Sequence, residues 1–425
     1  MKKAILGFIL FVLVVVIYSF WTDFKLAKRL VGYNVPVDNG LRFLNIPEGF
    51  KITVVAKDLS GPRVILFDAK GRILVSETKE GRVSILEDKN KNGDFETKHI
   101  LINNLKSPHG LAFFSSGNTT YLYVAETNQV ARYVYDVENG ALIIAKGENI
   151  ATFPADGSHF TRTIAFGANT RNLDLVGEKL LKGLYSKDKL YISVGSSCDV
   201  CVENTWKRAA ILESDPEGTV TAEFAGGLRN SVFFAFHPET GEMWATEMGQ
   251  DNLGDNLPPD EINIIRPAGL KQKFGARRFG WPFCYGNQVA DKTFKPEKIE
   301  RTDIPTDCGQ TEPATIEIPA HSAPLGLAFV TSAKWPSQWK NNLLVAYHGS
   351  WNSTVPVGYK IVRFKVDKNG KVSEIADFIT GWLSPSAGSG QAKIYGRPVD
   401  LKFGPDDALY ISDDAAGVIY KVISN

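Results

Sequence analysis

The sequence GLAF at residues 110–113, followed after a turn by LYVAE at 122–126, is one of six copies of a single pattern in this chain. Each copy has a short apolar run ending in Phe, then a turn, then a second β-rich run that usually ends in an acidic or polar residue. Such self-similarity is the sequence signature of a repeat architecture. The pairs of runs lie at 64–67 and 73–77, 110–113 and 122–126, 163–166 and 190–194, 233–236 and 243–247, 326–329 and 343–348, and 400–403 and 409–413.

Each copy is typical of a β-hairpin. Turn-forming residues at 68–71, 238–241 and 405–407 separate runs that are rich in β-branched and aromatic residues. About 404 residues follow position 21, or roughly 67 per hairpin, which is room for four strands and their loops. We therefore predict an all-β fold, a six-bladed β-propeller over residues 41–425. Six unrelated hairpins of a β-sandwich are the alternative, but a sandwich has no reason to repeat one pattern.

Composition agrees with one large globular domain. The length of 425 residues alone would suggest two or three domains, although one propeller can absorb it. The contents of 44% hydrophobic and 22% charged residues argue against disorder. Lys and Arg total 48 against 47 for Asp and Glu, a net charge of +1. Because nucleic-acid binding needs a concentrated basic surface, no nucleic-acid partner is expected.

The N-terminal residues have the pattern of a membrane segment. Lys2 and Lys3 precede the uncharged residues 4–21, a run about 27 Å long as a helix against the ~30 Å of a bilayer core. We predict an uncleaved single-pass transmembrane anchor at 1–21 and a linker at 22–40. The lysines place residues 41–425 on the periplasmic, extracytoplasmic side of the cytoplasmic (inner) membrane. A cleaved signal peptide and a buried core helix are the alternatives.

Cysteine use fits export to an oxidising compartment. The cysteines form an even set beyond the predicted anchor, at Cys198, Cys201, Cys284 and Cys308. Three pairings are possible, and the spacing favours Cys198 with Cys201 and Cys284 with Cys308. Haem attachment would need His where Val202 stands, and a zinc site would need further ligands.

Residues at one fixed position in each repeat predict a ligand site. In a propeller the first strand of each blade lines the central channel, so residues just before it lie at the channel mouth. Converging cationic and amide side chains there would suit an anionic ligand. The positions seven and six residues before each terminal Phe are Ser60 and Gly61, Lys106 and Ser107, His159 and Phe160, Arg229 and Asn230, Ser322 and Ala323, and Gly396 and Arg397.

Several strings around these positions resemble the glucose/sorbosone dehydrogenase family, whose members are six-bladed propellers that use pyrroloquinoline quinone. The resemblance covers nearly everything after about residue 41, and it is carried by residues 157–166, 227–230, 235–242, 259–263, 280–282 and 396–400. Further strings resemble its sorbosone-dehydrogenase-like branch; they are SCDVC at 197–201, AHSAPLGLAF at 320–329 and HGSWN at 348–352.

The resemblance implies roles for residues at the channel mouth. His159 matches the general base that removes a substrate hydroxyl proton, and an imidazole with an unperturbed pKa near 6.5 suits that task. Arg229 matches the cation that stabilises negative charge on the quinone. Asn230 and Arg397 match contacts to the cofactor.

Three further residues are candidate cofactor contacts. His348 stands where soluble members of the family place a Lys. It would hold a cofactor carboxylate when protonated, or would only cap a strand. Lys106 and His109 are candidate contacts from the first blade.

The resemblance also implies a Ca²⁺ ion bound by backbone carbonyls after the fourth hairpin. Gly249 and Gln250 occupy that loop here, with Asp251 adjacent, and hard oxygen ligands suit Ca²⁺. Soluble members commonly have Pro in place of Gln250. Asp260 and Glu261 are expected to brace the loop by hydrogen bonds.

One motif is independent of the cofactor. The string DKNKNGD at 88–94 matches the first half of a calcium-binding loop, but position twelve is His99 rather than Glu. A polar hairpin turn or a weak calcium-binding turn is expected.

Together these features predict a quinoprotein dehydrogenase that oxidises a sugar, a sugar-derived (sorbosone-like) aldehyde or a polyol, with pyrroloquinoline quinone and Ca²⁺ as cofactors. Its electron acceptor is unidentified. A calcium-dependent lactonase-type hydrolase is one alternative, but it needs several carboxylate or amide ligands on the axis, where the set here is cationic. A non-catalytic binding propeller is another. The sequence contains neither a nucleotide-binding fingerprint nor a Gly-x-Ser-x-Gly nucleophile motif.

Overall fold

Six β-sheets follow one another along the chain, each built on one of the repeated hairpins. The structure, a computed structural model, describes residues 41–167, 189–267, 276–384 and 392–424. The innermost strands of blades 1 and 2, 2 and 3, 4 and 5, 5 and 6, and 6 and 1 contact each other. Gly167 of blade 3 lies against the ring of Phe236 of blade 4. The prediction of a six-bladed propeller is confirmed.

The strands of the first two blades are antiparallel within each sheet, and blade 3 adds one parallel pair at its edge, where Ala225–Gly226 lie beside Arg277–Arg278 of a later insertion. The first described strand is β1 (Phe50–Ala56). Blade 1 contains β2 (Pro62–Phe67), β3 (Ile73–Glu77), β4 (Arg82–Glu87) and β5 (Thr97–Ile102), with a short 3-10 helix at Thr78–Glu80. Blade 2 contains β6 (Leu111–Ser116), β7 (Thr119–Ala125), β8 (Gln129–Asp136), the short β9 (Ala141–Leu142) and β10 (Glu148–Thr152). Blade 3 contains β11 (Ile164–Gly167), β12 (Lys189–Val194), β13 (Ala210–Ser214) and β14 (Thr221–Gly226).

Blade 4 carries a long insertion before its last strand. Blade 4 contains β15 (Phe234–Phe236), β16 (Met243–Glu247) and β17 (Asp260–Ile265). An insertion then holds β18 (Arg277–Arg278), β19 (Cys284–Tyr285), β20 (Val289–Ala290) and a 3-10 helix (Cys308–Gln310), before β21 (Ile316–Ile318) completes the blade. Blade 5 contains β22 (Pro324–Phe329), a 3-10 helix (Ser337–Trp339), β23 (Leu343–Tyr347), β24 (Lys360–Val366) and β25 (Val372–Ile379). A small pair, β26 (Leu383–Ser384) and β27 (Lys393–Ile394), precedes blade 6, which contains β28 (Pro398–Phe403), β29 (Leu409–Asp413) and β30 (Val418–Ser424).

The two ends of the described chain meet in blade 6. Strand β1 is its outermost strand and pairs antiparallel with β30, from Phe50 opposite Ser424 to Val54 opposite Tyr420. The ring of blades is therefore closed by hydrogen bonds between the beginning and the end of the domain.

The core lies between and within the blades. Leu74, Leu122 and Leu343, each on the second strand of its blade, have no exposed surface. Burying a side chain of this size contributes roughly 1.5–3 kcal/mol. This packing fixes the blades relative to each other and so positions the loops at the channel mouth.

Both predicted disulfide pairings are confirmed. Cys198 is bonded to Cys201, and Cys284 to Cys308. The first bond closes a loop after blade 3's second strand, and the second closes the insertion of blade 4.

The predicted anchor at 1–21 and linker at 22–40 lie outside the described residues. Within the described ranges, no helix has both the length and the apolar character needed to cross a bilayer.

Candidate active site

The acidic residue that ends the repeat accepts a hydrogen bond from the loop that enters the same blade. In blade 4, the amide of Asn230 donates to Glu247 Oε1 over 2.8 Å, and Ser231 Oγ donates to Glu247 Oε2. Burial raises the pKa of Glu247 to about 8, so its carboxyl group is mainly neutral at pH 7. The same type of bond joins the amides of Ser60, Lys106 and Arg397 to the side chains of Glu77, Glu126 and Asp413.

His159 is held in one orientation by the segment after the second strand of blade 3. Its Nδ1 lies 2.9 Å from the carbonyl oxygen of Ser196 and 3.0 Å from Ser196 Oγ. A carbonyl oxygen can only accept, so we assign the ring proton to Nδ1, which leaves a lone pair on Nε2. Within the described ranges, no protein group is hydrogen-bonded to Nε2.

The protonation state of His159 suits a base. Burial, reinforced by the positive charge of Arg229, lowers the pKa of His159 to about 4. The imidazole is therefore neutral at pH 7 and can accept a proton.

Arg229 is a buried, fixed cation. Its side chain is 7% exposed and makes contacts from three of its nitrogens. Nε donates to the carbonyl oxygen of Asp199 over 2.9 Å, and Nη2 donates to Asp199 Oδ1 over 2.8 Å and to Asp251 Oδ2 over 3.2 Å. Nη1 lies 3.4 Å from the carbonyl oxygen of Met248. Carboxylates and carbonyls thus hold the guanidinium from several directions.

His159 and Arg229 share one pocket of ≈ 210 Å³ at the channel mouth. Five predicted site residues line it; they are His159, Arg229, Asn230, Gly249 and Asp251. The other lining residues are Met248, Asp260, His321, Ala323, Ser350, Trp351 and Asn352. Trp351 is 75% exposed at this pocket.

Asp260 braces the loop at Gly249 and Gln250 as the sequence predicts, whereas the hydrogen bonds of Glu261 go to Asn263 and to the blade 4 insertion rather than to this loop. Asp260 accepts hydrogen bonds of 2.9 Å from the amides of Gly249 and Ala323, so it ties this loop to the entry of blade 5. Burial raises the pKa of Asp260 to about 7. Glu261 accepts a 2.7 Å bond from the amide of Gly286.

The backbone carbonyls of this loop remain available. Gln250 directs its side-chain Nε2 to Asp291 Oδ2, 2.7 Å away. In the described part of the chain, neither the Gly249 nor the Gln250 carbonyl oxygen accepts a hydrogen bond from protein. Such free oxygens are ligands of the type that Ca²⁺ prefers.

Arg397 and His348 form a second polar cluster, which does not line the 210 Å³ pocket. Arg397 donates to the carbonyl oxygens of His348, over 3.0 Å, and Gly349. His348 Nε2 lies 2.9 Å from Asp414 Oδ1, and Arg63 Nη1 lies 2.7 Å from Asp414 Oδ2. Burial lowers the pKa of His348 to about 4, so it is a neutral donor to Asp414 rather than a cation. The cofactor contacts predicted for this pair remain predictions.

The two early-blade candidates also lie apart from the pocket. His109 is fully buried, with Nδ1 3.3 Å from Thr163 Oγ1 and its ring edge against Phe233. Lys106 has an exposed side chain, and its backbone amide is bonded to Glu126. Their predicted roles are not tested by these contacts.

The 88–94 string forms a polar turn. Asp88 Oδ1 and Oδ2 accept bonds from the amides of Asn92 and Gly93, at 3.1 and 2.8 Å.

Sequence reasoning missed Ser196 and Asp199. Both follow the second strand of blade 3, whose run 190–194 ends in Val194 where the runs of blades 1, 2, 4 and 6 end in Glu or Asp. That departure from the repeat was the available signal. Ser196 contacts His159 and Asp199 contacts Arg229, so both residues belong to the candidate site.

Comparisons with known proteins agree with this fold. The chain is 25% identical over 427 residues to a pyrroloquinoline quinone-dependent pyranose dehydrogenase of Coprinopsis cinerea, an alignment covering 89% of this chain and 54% of that protein. The chain thus spans about half the length of that relative. It is 23% identical to a pyrroloquinoline quinone-dependent sugar dehydrogenase of Hypocrea jecorina, covering 88% and 87% of the two chains. It is 28% identical to an uncharacterized protein of Borreliella burgdorferi, covering 89% and 90%.

Solved structures show the same architecture. The holo pyranose dehydrogenase PQQ domain of Coprinopsis cinerea superposes with a TM-score of 0.69 at 22% identity, covering 92% of this chain and 99% of that one. The PQQ-bound aldose sugar dehydrogenase of Streptomyces coelicolor superposes with a TM-score of 0.58 at 18% identity, covering 89% and 99%. The TrAA12-like family matches residues 44–425, so this chain belongs to the TrAA12-like family.

Proposed function

We propose that this protein is a pyrroloquinoline quinone-dependent dehydrogenase that oxidises a sugar, a sorbosone-like aldehyde or a polyol, with His159 as the general base. One observation carries the proposal: His159, whose Nε2 has no protein hydrogen-bond partner among the described residues, lines the same pocket as the buried Arg229. A base and a fixed cation together are what removal of a hydroxyl proton during hydride transfer requires.

The donor set fits the proposed cofactor, an anionic quinone. Arg229 and Asn230 would hold its oxygens from the pocket wall, and the free carbonyls of Gly249 and Gln250 would bind the Ca²⁺ ion. When bound, pyrroloquinoline quinone supplies the carbonyl centre that accepts the hydride. Arg397 is proposed as a further contact, which would require its guanidinium to leave the carbonyls of blade 5.

The protein's own residues move and stabilise charge. The substrate hydroxyl donates its proton to His159 Nε2 as its C–H bond breaks. The carbonyl of Ser196 accepts from Nδ1–H, which keeps the ring in the reactive tautomer and stabilises the imidazolium that forms. Asp199 and Asp251 are the carboxylate partners that compensate the buried positive charge of Arg229.

The named relatives support a sugar substrate. Those of Coprinopsis cinerea and Hypocrea jecorina are described as pyranose and sugar dehydrogenases that depend on pyrroloquinoline quinone. We therefore favour an aldopyranose. The predicted anchor would place the domain outside the cytoplasmic membrane, where electrons would pass to a separate acceptor.

The test is reconstitution of the purified protein with pyrroloquinoline quinone and Ca²⁺, followed by dye reduction with aldopyranoses, sorbosone-like aldehydes and polyols. We expect saturable turnover with at least one of them. His159→Ala is expected to lose turnover but retain the cofactor, as measured by calorimetry. Absence of cofactor binding by the wild-type protein would overturn the proposal.

A further inference from the structure

We propose that the four-residue ring closed by the Cys198–Cys201 disulfide positions both His159 and Arg229, and that Asp199 is its positioning residue. It follows that a dithiol reductant switches the site off. The inference rests on the proposed function for its catalytic consequence, although its structural consequence can be measured without the cofactor.

The ring holds Arg229 through two different groups of one residue. The carbonyl oxygen of Asp199 accepts from Arg229 Nε at 2.9 Å and from Trp281 Nε1 at 3.2 Å. Its carboxylate Oδ1 accepts from Arg229 Nη2 and from the amide of Asp251, each at 2.8 Å. Asp199 thereby joins the arginine to the loop proposed to bind Ca²⁺.

The other end of the ring holds His159. Ser196 Oγ donates to the carbonyl oxygen of Cys198 at 2.6 Å and lies 3.0 Å from His159 Nδ1. The amide of Ser158 donates to the carbonyl oxygen of Ser197 at 2.9 Å. A Cβ added to Gly157 would lie 2.5 Å from Ser197 Cα, so the His159 loop packs directly on this segment.

The disulfide is the constraint that makes this arrangement rigid. The side chain of Asp199 is 35% exposed. If the disulfide were open, the Asp199 carboxylate would become more hydrated by leaving Arg229. A cross-link removes that freedom from the chain. Without Asp199, the guanidinium would keep the longer contact to Asp251, 3.2 Å, as its carboxylate partner.

The two disulfides differ in access to a reductant. Cys198 and Cys201 are partly exposed, whereas Cys284 and Cys308 are 4% and 9% exposed. A dithiol such as dithiothreitol supplies two electrons and two protons; the S–S bond breaks, two cysteine thiols form and the reductant becomes its own cyclic disulfide.

The first experiment uses the wild-type protein. Graded dithiothreitol is followed by alkylation and peptide mapping, to find when only Cys198 and Cys201 are free. After anaerobic removal of the dithiothreitol, which would itself reduce the quinone and the dye, we expect a roughly tenfold weaker affinity for pyrroloquinoline quinone by calorimetry, and a roughly 10- to 100-fold lower kcat. Reoxidation should restore both. Unchanged affinity and kcat with this bond open would overturn the proposal.

The second experiment needs no cofactor. Amide hydrogen exchange of residues 157–163 and 227–231 in the cofactor-free protein should accelerate once the Cys198–Cys201 bond opens. Equal exchange before and after reduction would overturn the proposal even where the protein binds pyrroloquinoline quinone. Faster exchange in a protein that does not bind it would instead leave the ring's role intact and refute the proposed function.

Variants test the role of the Asp199 carboxylate separately from that of the Cys198–Cys201 disulfide. Asp199→Asn keeps the backbone carbonyl and loses the charge, so kcat should fall about tenfold while the sugar KM stays within about twofold. Asp156→Asn is the matched control, since Asp156 is an exposed partner of another buried arginine, Arg208, at 3.1 Å. It should leave kcat unchanged. Equal kcat in both variants would contradict a positioning role for Asp199.

Discussion

Replacing Glu247 by Ala should damage both stability and turnover. Glu247 accepts from the amide of Asn230 and from Ser231 Oγ, and both donor residues are buried. Each buried donor left without a partner costs roughly 1–3 kcal/mol, so the free energy of unfolding should fall by about 2–6 kcal/mol. Because the same bond places the loop that carries Arg229, kcat should fall by about 100-fold, the cost of a ~1 Å displacement.

Two further variants separate the effect on stability from the effect on turnover. Glu247→Gln keeps an acceptor oxygen and the neutral form that the raised pKa of Glu247 favours, so it should remain near wild type in both respects. Glu77→Ala removes the equivalent acid of blade 1, which accepts from Ser60 and pairs with Arg82. It should cost at least as much stability while leaving kcat within about twofold.

The assays are urea unfolding and steady-state dye reduction of the reconstituted enzyme. The reasoning would be refuted if Glu247→Ala kept wild-type kcat, or if Glu77→Ala lost as much turnover as Glu247→Ala. In the first case the acid would not position the site, and in the second the loss would reflect stability alone.

Three further outcomes are expected. Because the pKa of His159 is lowered to about 4, the base stays unprotonated as the pH falls through 6.5, and kcat/KM should decline only below about pH 4; a decline centred at 6.5 would contradict this. A chain begun at Lys57 rather than Leu41 lacks β1 and leaves the outer edge of β30 without a partner strand, although β30 still pairs with β29, so its thermal transition should be lower or lost, and an unchanged transition would argue against closure through blade 6. Cys284 and Cys308 are 24 residues apart in the sequence, so their bond closes a long loop. Replacing both by Ser should lower the free energy of unfolding, measured in urea, by about 3 kcal/mol, and no change would rule out a stabilising bond.

The blades were predictable from sequence because hairpins are local. In every copy the turn and its two flanking runs are close in the chain, so alternation and turn residues suffice to define the innermost strands. The closing strand β1 was not predictable in this way, since it pairs with β30 at the other end of the domain. Its place in blade 6 is known only from its pairing with β30 in the structure.

The site was predictable only in part, for a related reason. His159, Arg229 and Asn230 were found because they share a phase within the repeat. Ser196 and Asp199 lie after a strand, in a loop whose shape depends on a disulfide, so no periodicity marks them. Arg397 shares the phase, but in this structure its guanidinium is bonded to carbonyls of blade 5, a contact between blades that its position in the repeat does not specify.

Single-turnover reduction of the bound quinone tests the central claim most directly. Protein loaded with pyrroloquinoline quinone and Ca²⁺ is mixed anaerobically with an aldopyranose, and the cofactor absorbance is followed by stopped flow. We expect a saturable reduction phase in the wild type that is about 100- to 10,000-fold slower in His159→Gln, the range for loss of a general base. Equal rates in both proteins, or no reduction by any sugar, aldehyde or polyol in the wild type, would contradict it.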